Sequence, residues 1–308
     1  MIPANTGNGV LPSADVLSNR QSFVDSEGLG PMLPGTVYIR IHIPDSNNQK
    51  CLQFNLEESV YSAKQQIITQ MGHDLADSLN YGLWWPPANG KSGKFLQEER
   101  PLKDYPLQGP IGLLEFKYKR RNYENMNVTS SKLKKLHTKG NLQKFLDAVK
   151  LGDVPKVHKW LYKGIDPNFT CKESGETPLT IATKREKPRE LIMALANHGA
   201  YLDYRARDSM TPLHKAAICG NQEAIKSLLD LGQNPSTMDE KNLTPLYYTV
   251  CYDTDAKCCE TLLYDHSILG VADEHGLQEI HQACRFGRNL HLEHLLTYGA
   301  DLDAVTKN

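Results

Sequence analysis

One pattern returns at a nearly fixed interval along the second half of the chain. Thr-Pro-Leu begins at Thr177, Thr211 and Thr244, and Gln-Glu-Ile-His begins at Gln278. The spacings are 34, 33 and 34 residues. Gly199 in "HGAYLD" is echoed by Gly232 in "LGQNPS" and Gly299 in "YGADLD", and His266 takes that place in "DHSIL". A unit this short cannot bury its own apolar face, so such a sequence folds only by stacking units into a solenoid.

Each position has a physical role. Thr177, Thr211 and Thr244 cap the first helix of their units. Pro178, Pro212 and Pro245 occupy its first turn, where a missing N–H is harmless. Small residues such as Ala216 and Ala217 let neighbouring helices approach. Ile225, Leu228 and Leu229 pack the second helix, and Gly232 supplies the left-handed conformation that ends it. His214 and His281 share one position of the motif, which predicts a structural hydrogen bond there. The period near 33 with "TPLHKAA" is the signature of ankyrin repeats. An earlier unit, "NLQKFLDAVKLGDVPKVHKWLYKGIDPN", lacks Thr-Pro but keeps Gly164, giving about five repeats over 141–308. Nothing in the sequence caps the fifth at "DAVTKN", so the chain reads as a fragment or short product of something longer.

The first half obeys a different period. In "TVYIRIHIPD", Val37, Ile39, Ile41 and Ile43 alternate with Tyr38, Arg40 and His42, as in a half-buried strand. After the turn cluster "PDSNNQ", Leu52, Phe54 and Leu56 predict a second strand and a hairpin. Val60, Ala63, Ile67 and Met71 then share a helical face, with Ser59 as N-cap and Gly72 past the end. "YGLWW", "KFLQ" and "GLLEFKY" are short strands. This order resembles a ubiquitin-like β-grasp. The expected fold class is therefore an α+β ubiquitin-like domain at 36–118 followed by an all-α ankyrin-repeat solenoid. The expectation includes a disordered leader over 1–35 and a basic linker over 119–140.

Composition removes some functions. The net charge of -1 gives no global field for nucleic acid. No apolar run reaches the length of a membrane span, and no secretory signal opens the chain. Seven irregularly spaced cysteines read as reduced thiols, mostly in the core, of a cytoplasmic protein. "NGKSGKF" has Trp85 where a phosphate-binding loop needs glycine. His291 and His294 are spaced His-x-x-His and are expected to line a helix surface. No nucleophile–base grouping, metal or cofactor set is present in the pattern, so the reading is non-enzymatic. An alternative role for the basic stretch "KYKRR…KLKKLHTK", contact with acidic lipid or nucleic acid, stays open.

Longer segments carry a closer likeness. "IRIHIPDSNNQKCLQF", "LNYGLWWPPANGKSGKFLQEERPLKDYP", "KLHTKGNLQKF", "LTPLYYT" and "DEHGLQEIHQACRFG" resemble the N-terminal part of the Shank (ProSAP) postsynaptic scaffold family. The likeness runs over about 36–305. It implies a first domain similar to Ras-association domains, which binds GTP-loaded Ras or Rap GTPases and can fold back on the repeats. It implies Arg40, Lys50 and Lys64 as GTPase-binding residues, with Arg40 at a sheet edge and Lys50 beside it. Gln53 and Gln66 stand where the family commonly has basic residues, which predicts slower association. Spectrin- or Sharpin-like proteins are the implied ankyrin partners, and the postsynaptic density or a cell junction the implied location.

Overall fold

The computed structural model describes residues 30–31, 33–71, 75–87, 92–105, 107, 111–123 and 129–306. The expected leader before Gly30, and Gly72, lie outside the described residues. The chain divides into two compact units, Met1–Tyr118 and Lys119–Asn308.

Among the described residues, the first unit is a five-stranded mixed sheet with one long helix. Strands β1 (Thr36–Ile43), β2 (Asn48–Asn55), β3 (Tyr81–Trp85), β4 (Lys94–Phe95) and β5 (Gly112–Tyr118) are ordered β2-β1-β5-β3-β4. β1 and β5 run parallel, and the other neighbours are antiparallel. The alternation of β1 puts Val37, Ile39, Ile41 and Ile43 into one core with Leu52, Phe54, Leu114 and Phe116. Helix α1 (Val60–Met71) adds Val60, Ala63 and Ile67 to it. Ser59 Oγ accepts the Ser62 N–H at 3.1 Å, as an N-cap does. The other early amides of α1 are met by a returning segment. Val60 donates to the Arg100 carbonyl and Tyr61 to the Glu98 carbonyl, both at 2.8 Å. That segment brings Glu98 over the helix.

Among the described residues of the second unit, α2 (Ser130–Leu136) is followed by five helix pairs. These are α3 (Lys139–Leu151) with α4 (Val154–Lys163), α5 (Pro178–Ala182) with α6 (Arg189–Asn197), and α7 (Pro212–Ile218) with α8 (Gln222–Asp230). Then come α9 (Pro245–Cys251) with α10 (Ala256–Tyr264), and α11 (Glu279–Arg285) with α12 (Asn289–Thr297). One continuous apolar core threads the pairs, from Phe145 and Leu161 through Leu195, Leu228 and Leu262 to Leu295. The second helices end at Gly164, Gly199, Gly232, His266 and Gly299, all with positive φ. Within residues 119–123, Lys119, Arg121 and Tyr123 are bonded to the rest of this unit. Lys119 is buried and pairs with Asp203. Arg121 Nη1 donates to the Leu161 and Ile165 carbonyls at 2.9 and 2.8 Å, satisfying the end of α4. Tyr123 donates to the Gly164 carbonyl.

Two expectations need correction. His291 does not line a surface; it is 4 % exposed, with burial lowering its pKa, while His294 is half-buried. The cysteines are all free, but only Cys171, Cys258 and Cys259 are buried, whereas Cys219 and Cys284 are exposed.

Candidate functional site

The pleat sends every second side chain of the sheet away from α1, and the first candidate surface is built from these. Arg40 sits in β1 opposite Cys51 of β2 and Leu113 of β5. It is half-buried and has partners of its own within the protein. β1 is an inner strand, not the sheet edge expected for Arg40; the edge strand beside it is β2. Lys50 lies on that edge strand, paired with Ile41 rather than with Arg40. It therefore shares the phase of the core-facing residues, yet it is exposed because it stands near the hairpin mouth. Arg40 and Lys50 are one register step apart and point to opposite faces.

Lys64 is elsewhere. Its position on α1 faces inward, and it is 1 % exposed. The ammonium donates to Glu98 Oε1 at 2.8 Å and to the Leu79 carbonyl. Burying a charge is tolerated only with such partners. The expected contact role of Lys64 is corrected accordingly: its charge is spent inside the unit. Gln66 and Gln53 are also committed internally. Gln66 Nε2 donates to the Gln53 carbonyl at 3.0 Å, and Gln53 Nε2 to Thr36 Oγ1 at 2.8 Å.

The same open face carries a cluster that the motif reading missed. Lys117 Nζ lies 3.6 Å from the centroid of the Trp84 ring, a cation–π contact. Trp84 meets Phe95 edge-on at 4.8 Å, and Lys117 pairs with Glu115 at 3.5 Å. Beside them Leu113 is 53 % exposed. The alternation of "GLLEFKY" was the available signal, since Leu113, Glu115 and Lys117 fall opposite to Leu114 and Phe116.

In the repeats the motif threonines cap their own helices, and the motif histidine reaches the following turn. Thr177 Oγ1 accepts the Thr180 N–H at 3.1 Å, while Thr180 Oγ1 accepts the Thr177 N–H at 2.8 Å. Pro178, Pro212 and Pro245 each follow their capping threonine in the first turn. Thr244 Oγ1 accepts the Tyr247 N–H at 3.4 Å. His214 Nδ1 accepts the Thr211 N–H, so Nε2 carries the proton and donates to the Leu243 carbonyl of the next unit at 3.1 Å. His281 repeats this with Gln278 and the Ala304 carbonyl, both at 3.0 Å. Burial lowers the His214 pKa to about 4, so it stays neutral in this role.

A cleft of about 250 Å³ opens between two turns of the stack, lined by Ser174, Gly175, Glu176, Arg207 and Asp208. Its charges largely satisfy one another. Glu176 takes Lys184 at 2.7 Å and Lys215 at 3.6 Å, and Lys215 also pairs with Asp208. Burial pushes the Glu176 carboxyl up, but hydrogen bonds from Lys184 and Thr180 outweigh it and hold the group ionised. Among the described residues, no group of three or more His, Cys, Asp or Glu could hold a metal ion. No helix among them is long and apolar enough to cross a membrane.

Both units match known families. Residues 37–118 match the N-terminal or F0 domain of the talin-head FERM, and residues 145–239 match ankyrin repeats (3 copies). The chain is 49 % identical over 273 residues, 87 % of its length, to human SH3 and multiple ankyrin repeat domains protein 2. It is 49 % identical over 286 residues, 92 % of its length, to the mouse SH3 and multiple ankyrin repeat domains protein 1. It spans only 15 % and 13 % of those proteins. A shorter similarity, 31 % over 140 residues, joins 43 % of the chain to 45 % of mouse NF-kappa-B inhibitor alpha. With the β-grasp sheet, the ankyrin stack and this identity along nearly its whole length, the chain belongs to the SH3 and multiple ankyrin repeat domains (Shank) family.

Proposed function

We propose that the chain is a non-enzymatic scaffold or adaptor segment with two protein-docking units. The first unit binds a GTP-loaded Ras- or Rap-type GTPase along β2, with Lys50 and Arg40 supplying positive charge at the edge and on the neighbouring open face. The carrying observation is β2 itself, an eight-residue strand at the end of the sheet order with Asn48, Gln49 and Lys50 exposed. An edge strand presents unpaired backbone groups that a partner strand can complete. Arg40 offers a planar fork to a carboxylate, and Lys50 a mobile point charge. Lys64 is left out of this role because its ammonium is buried against Glu98. With Gln53 and Gln66 neutral and bonded internally, electrostatic steering is reduced and association is slower. The ankyrin stack binds a second protein, of the spectrin- or Sharpin-like cytoskeletal or junctional kind. The location follows from such partners: the cytoplasmic face of a synapse or junction, near actin.

Calorimetry with Rap or Ras loaded with a GTP analogue tests this directly. Binding is expected with the GTP form and not with the GDP form. Arg40→Glu and Lys50→Glu should each weaken it about tenfold, because a reversed charge at such an interface costs on the order of 1–2 kcal/mol. Unchanged affinity in both variants would sink the assignment.

A further inference from the structure

The net charge of -1 hides a segregation inside the second unit. Residues 130–163 carry nine lysines against two aspartates, whereas residues 164–308 carry 14 basic and 21 acidic side chains. The positive end is the start of the stack. Lys132, Lys134 and Lys135 stand on α2. Lys156, Lys159 and Lys163 follow on α4 at spacings of three and four, one side of that helix. The remaining three are on α3. All nine are exposed. Elsewhere in the unit, lysines such as Lys184 and Lys215 are paired with carboxylates. Among the described residues none of these nine has a carboxylate partner. Of the two aspartates, Asp153 is occupied capping α4, where it accepts the Lys156 N–H at 3.0 Å.

The helices are fixed in place. His137, which ends α2, accepts the Asp166 N–H on Nε2 at 2.7 Å and contacts the Leu133 carbonyl through Nδ1 at 2.8 Å. Leu136 packs on the core of the stack. A terminal repeat needs a polar outer face for solubility, but that requirement is met by mixed charge. It does not call for one sign, nor for bare apolar groups among the lysines. Here Leu151 is 75 % exposed and Tyr162 72 % exposed. Lys163 Nζ lies 4.9 Å from the centroid of the half-buried Trp160 ring.

We propose that this first helical end of the repeat stack docks on an anionic phospholipid surface. Lysine clusters flanked by aromatic and aliphatic side chains suit the headgroup layer, where the amines meet lipid charge and the apolar groups enter the boundary. The absence of arginine from residues 130–163 argues in the same direction. Specific recognition of nucleic acid or acidic peptides draws on the arginine fork, while a diffuse anionic surface needs only point charges.

The test is co-sedimentation of the full chain with phosphatidylcholine vesicles, with and without phosphatidylserine, at low and high salt. Binding is expected only with the anionic lipid, and it should vanish at about 0.5 M salt as the charges are screened. Lys150→Glu/Lys159→Glu/Lys163→Glu and Lys132→Glu/Lys134→Glu/Lys135→Glu should each weaken binding about a hundredfold, with unchanged melting temperature. Tyr162→Ala should weaken it a few-fold while leaving the salt dependence intact. Equal binding to neutral vesicles, or no effect of both reversals, would overturn the proposal. So would binding of an acidic peptide or single-stranded RNA in place of the vesicles.

Discussion

Lys64 and Arg40 are alike as candidate contact residues in the sequence, and burial separates them. Arg40 follows the strand alternation, so its side of the sheet could be read from four apolar neighbours. Lys64 could not be placed that way. Its partner Glu98 lies 34 residues away in an irregular segment, brought close because that segment's carbonyls satisfy the first amides of α1. No local pattern encodes such a contact. The pair has a measurable consequence. Removing one member of a buried ion pair strands the other charge, which typically costs 3–5 kcal/mol. Lys64→Met should therefore destabilise the first unit by about 3 kcal/mol, read from urea denaturation. Lys64→Met/Glu98→Leu should regain a good part of that loss. If the single variant is as stable as the parent, the ion pair is not a stability element and Lys64 returns to candidacy as a contact residue.

At the scale of elements, the left-handed helix ends matter most. Four of the five second helices end on glycine at positive φ, and the fourth ends on His266 at φ 64°. A side chain in that region meets its own carbonyl, at about 1–2 kcal/mol, and His266 is exposed. His266→Gly should relieve that strain. It also makes the unfolded chain more flexible, so the net gain should be about 0.5–1 kcal/mol in urea denaturation. A loss of stability would mean that the imidazole contributes more than its backbone strain. The position was legible before the structure because the 33-residue period aligns His266 with Gly199, Gly232 and Gly299. The helix pairs were legible for the same reason: capping, helix-starting proline and small-residue positions recur in step. The sheet edge was not, because strand order in a mixed sheet depends on the β1–β5 crossover, and neither strand carries a local mark of it. The Trp84–Lys117 contact was hidden too, as it joins two strands 33 residues apart.

Across the whole stack, two buried titratable groups push stability in opposite directions. His214, in the third repeat, is held neutral by burial with its pKa lowered to about 4. Between pH 4 and 6.5 the unfolded chain binds a proton that the folded chain does not, so stability falls as pH drops through this window. Glu279, in the fifth repeat, has its pKa raised to about 7 by burial, although the Gly270 and Val271 amides at 3.0 and 3.2 Å favour its charge. Here the folded chain keeps the proton longer. Stability is fully present below about pH 4.5 and falls as pH rises toward 7. Each effect amounts to about 3 kcal/mol, so a global melting curve blends them over pH 4.5–6.5. In a solenoid, each repeat contacts only its neighbours, and an end repeat can open alone. Hydrogen exchange resolved by repeat should therefore separate the two. Raising the pH from 5 to 7.5 should lower protection in α11 and α12 beyond the intrinsic rate change, and Glu279→Gln should abolish that loss. Lowering it from 6.5 to 4.5 should lower protection around α7 and the Leu243 turn, and His214→Asn should remove that response. A uniform change in all repeats, or the same profile in both variants, would show that neither group governs its repeat.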